Sequence, residues 1–473
     1  MVKFVNKFKG PPTVPVFGNI FNLLGSPADY YYYLLKMQQV YGSTLRIWFL
    51  HIPFIVVSDP DDVQMLLSKN LEKDKTYKFL VDLIGDGLIT ADNQRWKKNR
   101  RVISPAFNLT TLADYFLGSF NDQNEKLVQK LQKHCDSNEL FDIWEYIDTA
   151  SFSIICETAM GYKDDEEVEF LKSREAYMKA SDLVGQRFYQ AWLHPSFMFK
   201  LYTQIIGMSD IFEKAKALPK TILRKKYQNQ RLSSNSQMMD EQKDGKRTQC
   251  IVDILYDLYN KQHYFTEEEL MDEILTLIFA GSETTAITVS FTLLMLAMEQ
   301  SIQAKVYEEQ YSVFGSSKDP PTAKDLNQLT FLEQCIKETL RRFTIVPIIL
   351  RRADEDLILK SGEIIPAGAH INISIAGVHL NKKTFPNPYI WDPSNFDEEC
   401  IASRHPGTFI PFGVGSRMCI GNKYAMMTMK AQLSTLLRNY RLTTTLSQDD
   451  IKLNFDVVIR SANGYRIMLH SRH

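Results

Sequence analysis

The stretch Phe409 to Gly421, FIPFGVGSRMCIG, places a cysteine in a setting suited to metal ligation. Gly413 and Gly415 let the backbone turn tightly and approach a flat ligand where a Cβ would intrude. Arg417 sets a fixed cation two residues before Cys419, suited to a carboxylate. After Gly421, the run NKYAMMTMKAQLSTLLRNY carries Met426, Met429, Leu433 and Leu436 at helical spacing. Cys419 therefore sits just ahead of a helix N-terminus, where the dipole and free N–H groups favour a thiolate. A dinucleotide fingerprint would need glycine at Met418, and a phosphate loop would need lysine at Asn422. An iron–sulfur cluster would need neighbouring cysteines, but Cys135, Cys156, Cys250, Cys335 and Cys400 are scattered and show no CxxC spacing. These five read as packing or surface residues in a reducing compartment. The plain alternative for Cys419 is an inert thiol in a glycine turn before a buried helix.

A second chemical pattern lies in a long central helix. Thr266 and Glu269 form a capping-box pair that opens it, and it runs to about Glu299. Within it, FAGSETTA (Phe279 to Ala286) combines the small Ala280 and Gly281, expected to leave a groove, with Thr284 one turn on from Ala280. Glu283 is ionisable amid apolar residues, which signals either function or a buried partner. Ile274 to Ala297 is long enough to span a bilayer, but a central glutamate and several threonines would be costly there. A buried core helix with Glu283 in an ion pair is the other reading. Two weaker pairs accompany these. Glu338 and Arg341 sit three apart, able to pair on one helix face but common as surface decoration. Trp96 and Arg100 open a basic helix that could simply be exposed.

The elements that must position these residues are mostly helical. Ser43 to Ser58 reads as two strands broken near His51 to Pro53, and Asp59-Pro60 starts a helix through Leu67. Gly85 to Ala91 is a turn-rich stretch, and the pattern is then mainly helical to about Arg342. Asn229 to Gln249 is polar and reads as a surface loop. The last third holds short strands, many prolines, the helix after Gly421 and a β-like tail. Hydrophobic residues make up 44% of 473 and charged residues 23%, an ordinary globular balance. With 55 basic and 56 acidic side chains the net charge is −1, so no global basic excess argues for nucleic acid. Residues 1–18 form a basic, Pro-rich leading segment, with Lys3, Lys7 and Lys9 followed by Gly10-Pro11-Pro12-Thr13-Val14-Pro15. Met1 to Gly10 lacks the ~20 apolar residues a membrane span needs.

These residues resemble the cytochrome P-450 superfamily, whose cysteine loop FxxGxRxCxG is matched by Phe412, Gly415, Arg417, Cys419 and Gly421. The likeness covers essentially the whole chain. GDGLITADNQRWKKNRRVISPAF (Gly85 to Phe107) and AWLHPSFMFKL (Ala191 to Leu201) look like family four, insect members especially. The resemblance implies a mainly α fold in one domain over 1–473, an α-rich body with a smaller β region near the N-terminus and short strands in the C-terminal third. It implies haem b, with Cys419 as the iron's thiolate ligand and Trp96, Arg100, Arg351 and Arg417 at the propionates. By the same likeness the central-helix groove holds dioxygen, and Glu283 and Thr284 relay protons to it. Glu338 to Arg341 is the family's ExxR. Its usual second arginine is Asn395 here, within DPSNF, so a hydrogen bond is expected to substitute. Ala280 stands where many family-four proteins carry a glutamate that esterifies a haem methyl. The haem is therefore expected to be non-covalent apart from the thiolate–iron bond.

The implied activity is insertion of one oxygen atom from O2 into a lipophilic substrate, a fatty acid or a xenobiotic, odorant or hormone. Electrons would come from a separate NADPH-cytochrome reductase, docked on Lys97, Lys98, Arg101, Lys423 and Lys430. A monomer on the cytosolic face of the endoplasmic reticulum membrane is expected, with Trp192, Leu193, Phe197, Met198 and Phe199 touching the bilayer surface. Microsomal relatives begin with a membrane helix ahead of the basic linker and Pro-rich hinge, so the sequence reads as a truncated form. Two other classes fit the same loop. One is a haem-thiolate isomerase or dehydratase acting on lipid hydroperoxides, which would need no proton relay. The other is a non-catalytic carrier of lipophiles.

Overall fold

Alternating Leu45 and Ile47 bury one face of an extended segment, while Ile55, Val56 and Val57 bury both faces of the next, and these two open a five-stranded sheet. A computed structural model describes residues 2–19, 21, 26–50, 52–69, 71–163, 168–235, 250–262 and 264–472. The strands are β1 (Thr44–Phe49), β2 (Ile52–Val57), β3 (Glu72–Lys73), β4 (Ile348–Arg352) and β5 (His370–Ser374). Their order is β1-β2-β5-β4-β3. β2 pairs with β5 in parallel, Ile55 opposite Ile371, and the remaining pairs are antiparallel. β1 ends at Phe49 and β2 begins at Ile52, so Ile52 and Pro53, expected within the break, belong to β2.

The helices that position the candidate residues are α1 (Pro60–Ser68), α2 (Asn93–Ile103), α3 (Trp144–Met160), α4 (Val168–Tyr189), α5 (Ser196–Ile205), α6 (Ile211–Asn235), α7 (Glu267–Met298), α8 (Thr330–Phe343), α9 (Ile375–His379) and α10 (Asn422–Asn439). Asp59 caps α1 by accepting from the Asp61 and Asp62 amides, with Pro60 in the first turn. The capping box read at Thr266 and Glu269 is present in both directions, at 3.0 and 3.1 Å. One boundary is corrected. Residues 229–235 belong to α6, so the surface loop does not begin at Asn229, and 236–249 lie outside the described residues. Polar residues gave no apolar period there, yet a helix already nucleated upstream extends at little cost per residue.

The chain divides into two compact units, Met1–Thr76 with Asn124–Ile147 and Thr284–His473, and Tyr77–Gln123 with Asp148–Glu283. In the first unit, Val63, Leu66 and Leu67 of α1 share a core with Ile55, Val57, Ile371, Ile373 and Val378. Ile410, at the foot of the cysteine loop, belongs to that same core. Each such side chain gains roughly 1.5–3 kcal/mol on full burial, which anchors the loop to the sheet. α7 runs through the division. It has the length and apolarity of a membrane span, but 83% of its most apolar window is buried inside the protein, as expected of a core helix.

Candidate functional site

Two backbone turns and one bond that closes across them shape the cysteine loop. Gly413 N–H donates to the Ile410 carbonyl at 2.9 Å, Met418 N–H to Gly415 at 3.1 Å, and Cys419 N–H to Phe412 at 2.8 Å. Gly413 (φ +70°) and Gly415 (φ +77°) adopt the left-handed conformation that the turns require. Gly415 is also a close approach, because a Cβ there would lie 2.4 Å from the Leu67 carbonyl oxygen at the end of α1. The loop ends at Gly421, the N-cap of α10. Cys419 is exposed ahead of that helix, whose residues 428–438, Met429, Leu433 and Leu436 among them, are buried on every side. Cys156, Cys250 and Cys335 are buried, and burial pushes the Cys156 and Cys335 thiols up, away from thiolate chemistry.

The loop is held from behind by a buried network. Arg341 grips Glu338 through two parallel hydrogen bonds of 2.7 Å, and neither side chain reaches solvent. Burial raises the Glu338 carboxyl, and the Arg341 guanidinium works against that rise. The remaining guanidinium N–H groups donate to the carbonyls of His379, Pro388 and Ile390. Asn395 donates to Glu338 at 3.2 Å, the substitution expected for the missing arginine. Removing one member of such a pair typically costs roughly 3–5 kcal/mol, because the other stays buried and charged.

His379 transmits this network to the cysteine loop. Its Nε2 accepts from Ile410 N–H at 2.9 Å, and its Nδ1 lies 3.0 Å from Thr344 Oγ1. The Thr344 hydroxyl is already donating to the Arg341 carbonyl, so Nδ1 carries the ring's proton. Thr344 caps α8 in a left-handed conformation (φ +40°), held there by these two bonds. Burial first, then Arg341, lowers the His379 pKa to about 3.

In the second unit, Trp96 is buried on α2 with Arg100 one turn on and half-buried. Glu283 is buried on α7, and Ser181 Oγ of α4 donates to its Oε2 across a long 3.5 Å. The groove expected at Gly281 is corrected, because a Cβ there would lie 2.7 Å from Ile155 of α3, so the small residue serves helix packing. Thr284, first residue of the other unit's share of α7, is half-buried, and its carbonyl accepts from Thr288 Oγ1 at 2.8 Å. Arg351 is buried on β4 in the first unit and donates to the Leu350 carbonyl.

The structure therefore brings Phe412, Gly415, Arg417, Cys419 and Gly421 into one loop and sets Trp96 with Arg100, and Glu283 with Thr284, as neighbours. Arg351 lies on β4, whose Ile349 packs against the same core as Val414 of the loop. Reasoning from sequence missed His379, Asn99 and Glu273. Among described residues no group of three or more His, Cys, Asp or Glu could hold a metal by itself. An exposed thiol on a glycine cradle fits a planar macrocycle that brings its own remaining ligands.

A family model described as cytochrome P450 matches residues 8–468. Cytochrome P450 4c3 of Drosophila melanogaster is 30% identical, across 100% of this chain and 90% of that protein. Cytochrome P450 4g15 of the same organism is 29% identical across 100% and 93%, and human cytochrome P450 4V2 is 28% identical across 98% and 90%. Among solved structures, the crystal structure of the cytochrome P450DA heme domain superposes with a TM-score of 0.82 at 19% identity, covering 98% of both chains.

The His379 linkage has a definite sign. Its base is weaker folded than unfolded, so the unfolded chain binds the proton first and stability falls as pH drops below about 6.5. The fall continues towards pH 3 at about 1.4 kcal/mol per unit at most. His379→Gln, which keeps an acceptor for Ile410 N–H but cannot titrate, should flatten that acid limb in chemical denaturation curves. An unchanged slope would show that other groups set it.

Proposed function

We propose the following chemistry for a chain that belongs to the cytochrome P450 family, and is therefore a monooxygenase with haem b on a cysteine thiolate. Cys419 is that thiolate, and Arg417, Arg351, Trp96 and Arg100 hold the propionates. The observation that carries this reading is the cysteine loop itself, an exposed thiol at a helix N-terminus on a cradle that Gly415 and Ile410 seat against the sheet. Phe412 and Gly421 bracket the thiol, the first through the carbonyl that accepts Cys419 N–H. When bound, haem supplies the centre at which O2, two electrons and two protons convert a C–H bond or alkene to its oxygenated product and water. The protein's part is to deliver those protons one at a time. The Thr284 hydroxyl can donate a proton and be resupplied from the Glu283 carboxyl on the adjacent residue. Ala280 offers no carboxyl for an ester, so the haem is held without a covalent link to α7.

The substrate class this reading supports is lipophilic, a fatty acid or a hormone, odorant or xenobiotic of similar character. An NADPH-cytochrome reductase supplies the electrons. Of the cations expected to dock it, Lys97, Arg101 and Lys423 are exposed, and Lys98 is exposed but paired with Glu269. Lys430 is withdrawn, being buried against Glu333 at 2.9 Å. The membrane patch is likewise revised. Leu193 and Phe199 are core residues. The outward stripe is Phe197, Leu201 and Ile205, at i, i+4 and i+8 of α5, with Trp192 nearby in sequence. Phe197 is 71% and Ile205 75% exposed, an unusual outlay for a surface helix and one suited to the cytosolic leaflet of the endoplasmic reticulum.

The first test is the spectrum of the dithionite-reduced protein under carbon monoxide. A strongly red-shifted Soret band is expected, absent from Cys419→Ala; persistence of the band in that variant would remove Cys419 from the iron. Thr284→Ala should keep haem and that band while product per NADPH drops and hydrogen peroxide rises. Coupling equal to the parent's would defeat the relay. Replacing Phe197 and Ile205 together by serine should weaken co-sedimentation with phosphatidylcholine–phosphatidylserine vesicles at least about tenfold, given roughly 1.5–3 kcal/mol per fully buried side chain. Equal binding would place the membrane contact elsewhere.

A further inference from the structure

Glu273, on α7, is fully buried and is not part of the chemistry above. Its Oε1 accepts from Asn99 Nδ2 at 2.7 Å, and its Oε2 accepts from the Leu88 backbone N–H at 3.1 Å. Asn99 is itself fully buried on α2, between Trp96 and Arg100 in sequence. Leu88 lies in the glycine turn 85–91. That turn is pressed onto α7 so tightly that a Cβ on Gly87 would lie 2.3 Å from Thr276 Oγ1. Thr276 Oγ1 in turn donates to the Ile84 carbonyl, and Thr90 Oγ1 closes the turn on the Gly85 carbonyl.

The other ties between α2 and α7 are wetter. Arg95 pairs with Asp272 at 2.9 Å with both side chains partly exposed, and Lys98 pairs with Glu269 at 3.7 Å with its ammonium in solvent. Ion pairs of that kind contribute little in water. A buried hydrogen bond is different, because breaking it leaves a desolvated donor unmatched.

We propose that Glu273 is a positioning residue: its two carboxyl oxygens fix α2, and with it Trp96 and Arg100, against the glycine turn and α7, by hydrogen bonding that does not require its charge. The geometry satisfies both protonation states. With the proton off, both oxygens accept, as observed. With the proton on, the Asn99 amide can flip and present Oδ1, which is buried and has no hydrogen-bond partner among the described residues, to the carboxyl O–H. The Leu88 bond survives either way. The groups that act on the carboxyl are Asn99 and Arg95 of α2, the Leu88 N–H of the turn and Asp272 of α7. The nearest guanidinium, Arg95, is engaged by Asp272. Burial accordingly pushes Glu273 up to about 7, which suits a group that works neutral or charged.

The consequence for haem rests on Trp96 and Arg100 holding a propionate, so the test separates the two ideas. Backbone hydrogen exchange over residues 88–103 of the haem-loaded enzyme reads the clamp, and transfer of haem to an excess of a scavenging globin reads its consequence. Glu273→Gln can donate to the flipped Asn99 and accept from Leu88, so exchange and haem release should stay within about twofold of the parent at pH 6 and 8. Glu273→Ala and Asn99→Ala should each speed exchange in that segment roughly tenfold, and haem release with it, and the double variant should be no worse than either. If Glu273→Ala yields no folded protein, Asn99→Ala decides by the same exchange readout. Unchanged exchange in the alanine variants, or equal acceleration in Glu273→Gln, would overturn the clamp. Arg100→Ala is the control for the propionate reading. If it leaves haem release unchanged, that reading fails while the exchange data still decide the clamp.

Discussion

A carboxylate and a guanidinium shut away from water have to satisfy one another and every remaining lone pair and N–H, and that constraint organises the cysteine-bearing half of this molecule. Glu338 and Arg341 meet it with no polar atom to spare. The guanidinium takes both carboxylate oxygens and three carbonyls, and Glu338 also accepts from the Asp392 amide and Asn395. Through those carbonyls, helix α8 fixes the irregular segment 388–395 and the end of α9. Through His379 it reaches Ile410 N–H, three residues before Gly413 makes the first turn of the cysteine loop. An irregular loop gains position from such bonds because it has no ladder of its own to supply them.

The arrangement also explains why Asn395 can stand in for a cation. Glu338 already has a full charge partner in Arg341, so what it lacks is a donor, and an amide provides one without bringing a second charge to be desolvated. Nearby, Arg404 donates to the Asn395 carbonyl and lies over the Phe385 and Phe396 rings, so a second guanidinium is present but spends its charge on backbone and aromatic faces.

What the sequence revealed and what it concealed divide along contact distance. Phe412 to Gly421 was legible because the whole device is local: two left-handed glycines, one thiol, one helix start. The capping box at Thr266 and Glu269 and the proline start of α1 were legible for the same reason. Gly281 was misread because a missing side chain signals vacancy and close packing equally, and only Ile155 tells them apart. Lys430 looked like a solvated helix lysine until Glu333, 97 residues away, came into reach. Phe199 was separable in principle from Phe197, since the 3.6-residue period of α5 puts 197, 201 and 205 on one face and 199 and 203 on another. The link between Glu273 and Asn99 spans 174 residues and leaves no local signature, because a polar residue on an otherwise apolar helix can face several partners.

Two buried carboxylates in this chain show how the choice of partner sets behaviour. Glu338 has a guanidinium, so losing its charge would strand Arg341, and the pair has to stay ionised to remain whole. Glu273 is bonded by an amide and a backbone N–H, both neutral, and the nearby Arg95 is engaged by Asp272, so burial prevails and moves its titration towards neutrality. The first arrangement is rigid in both geometry and charge; the second is rigid in geometry alone. A helix carrying Trp96 and Arg100 gains from the second kind, because its placement then survives changes in local potential as charged groups nearby gain or lose protons. The cysteine loop gains from the first, since burial, helped by the fixed positive guanidinium of Arg341, keeps the His379 imidazole neutral and its Nε2 free to hold Ile410.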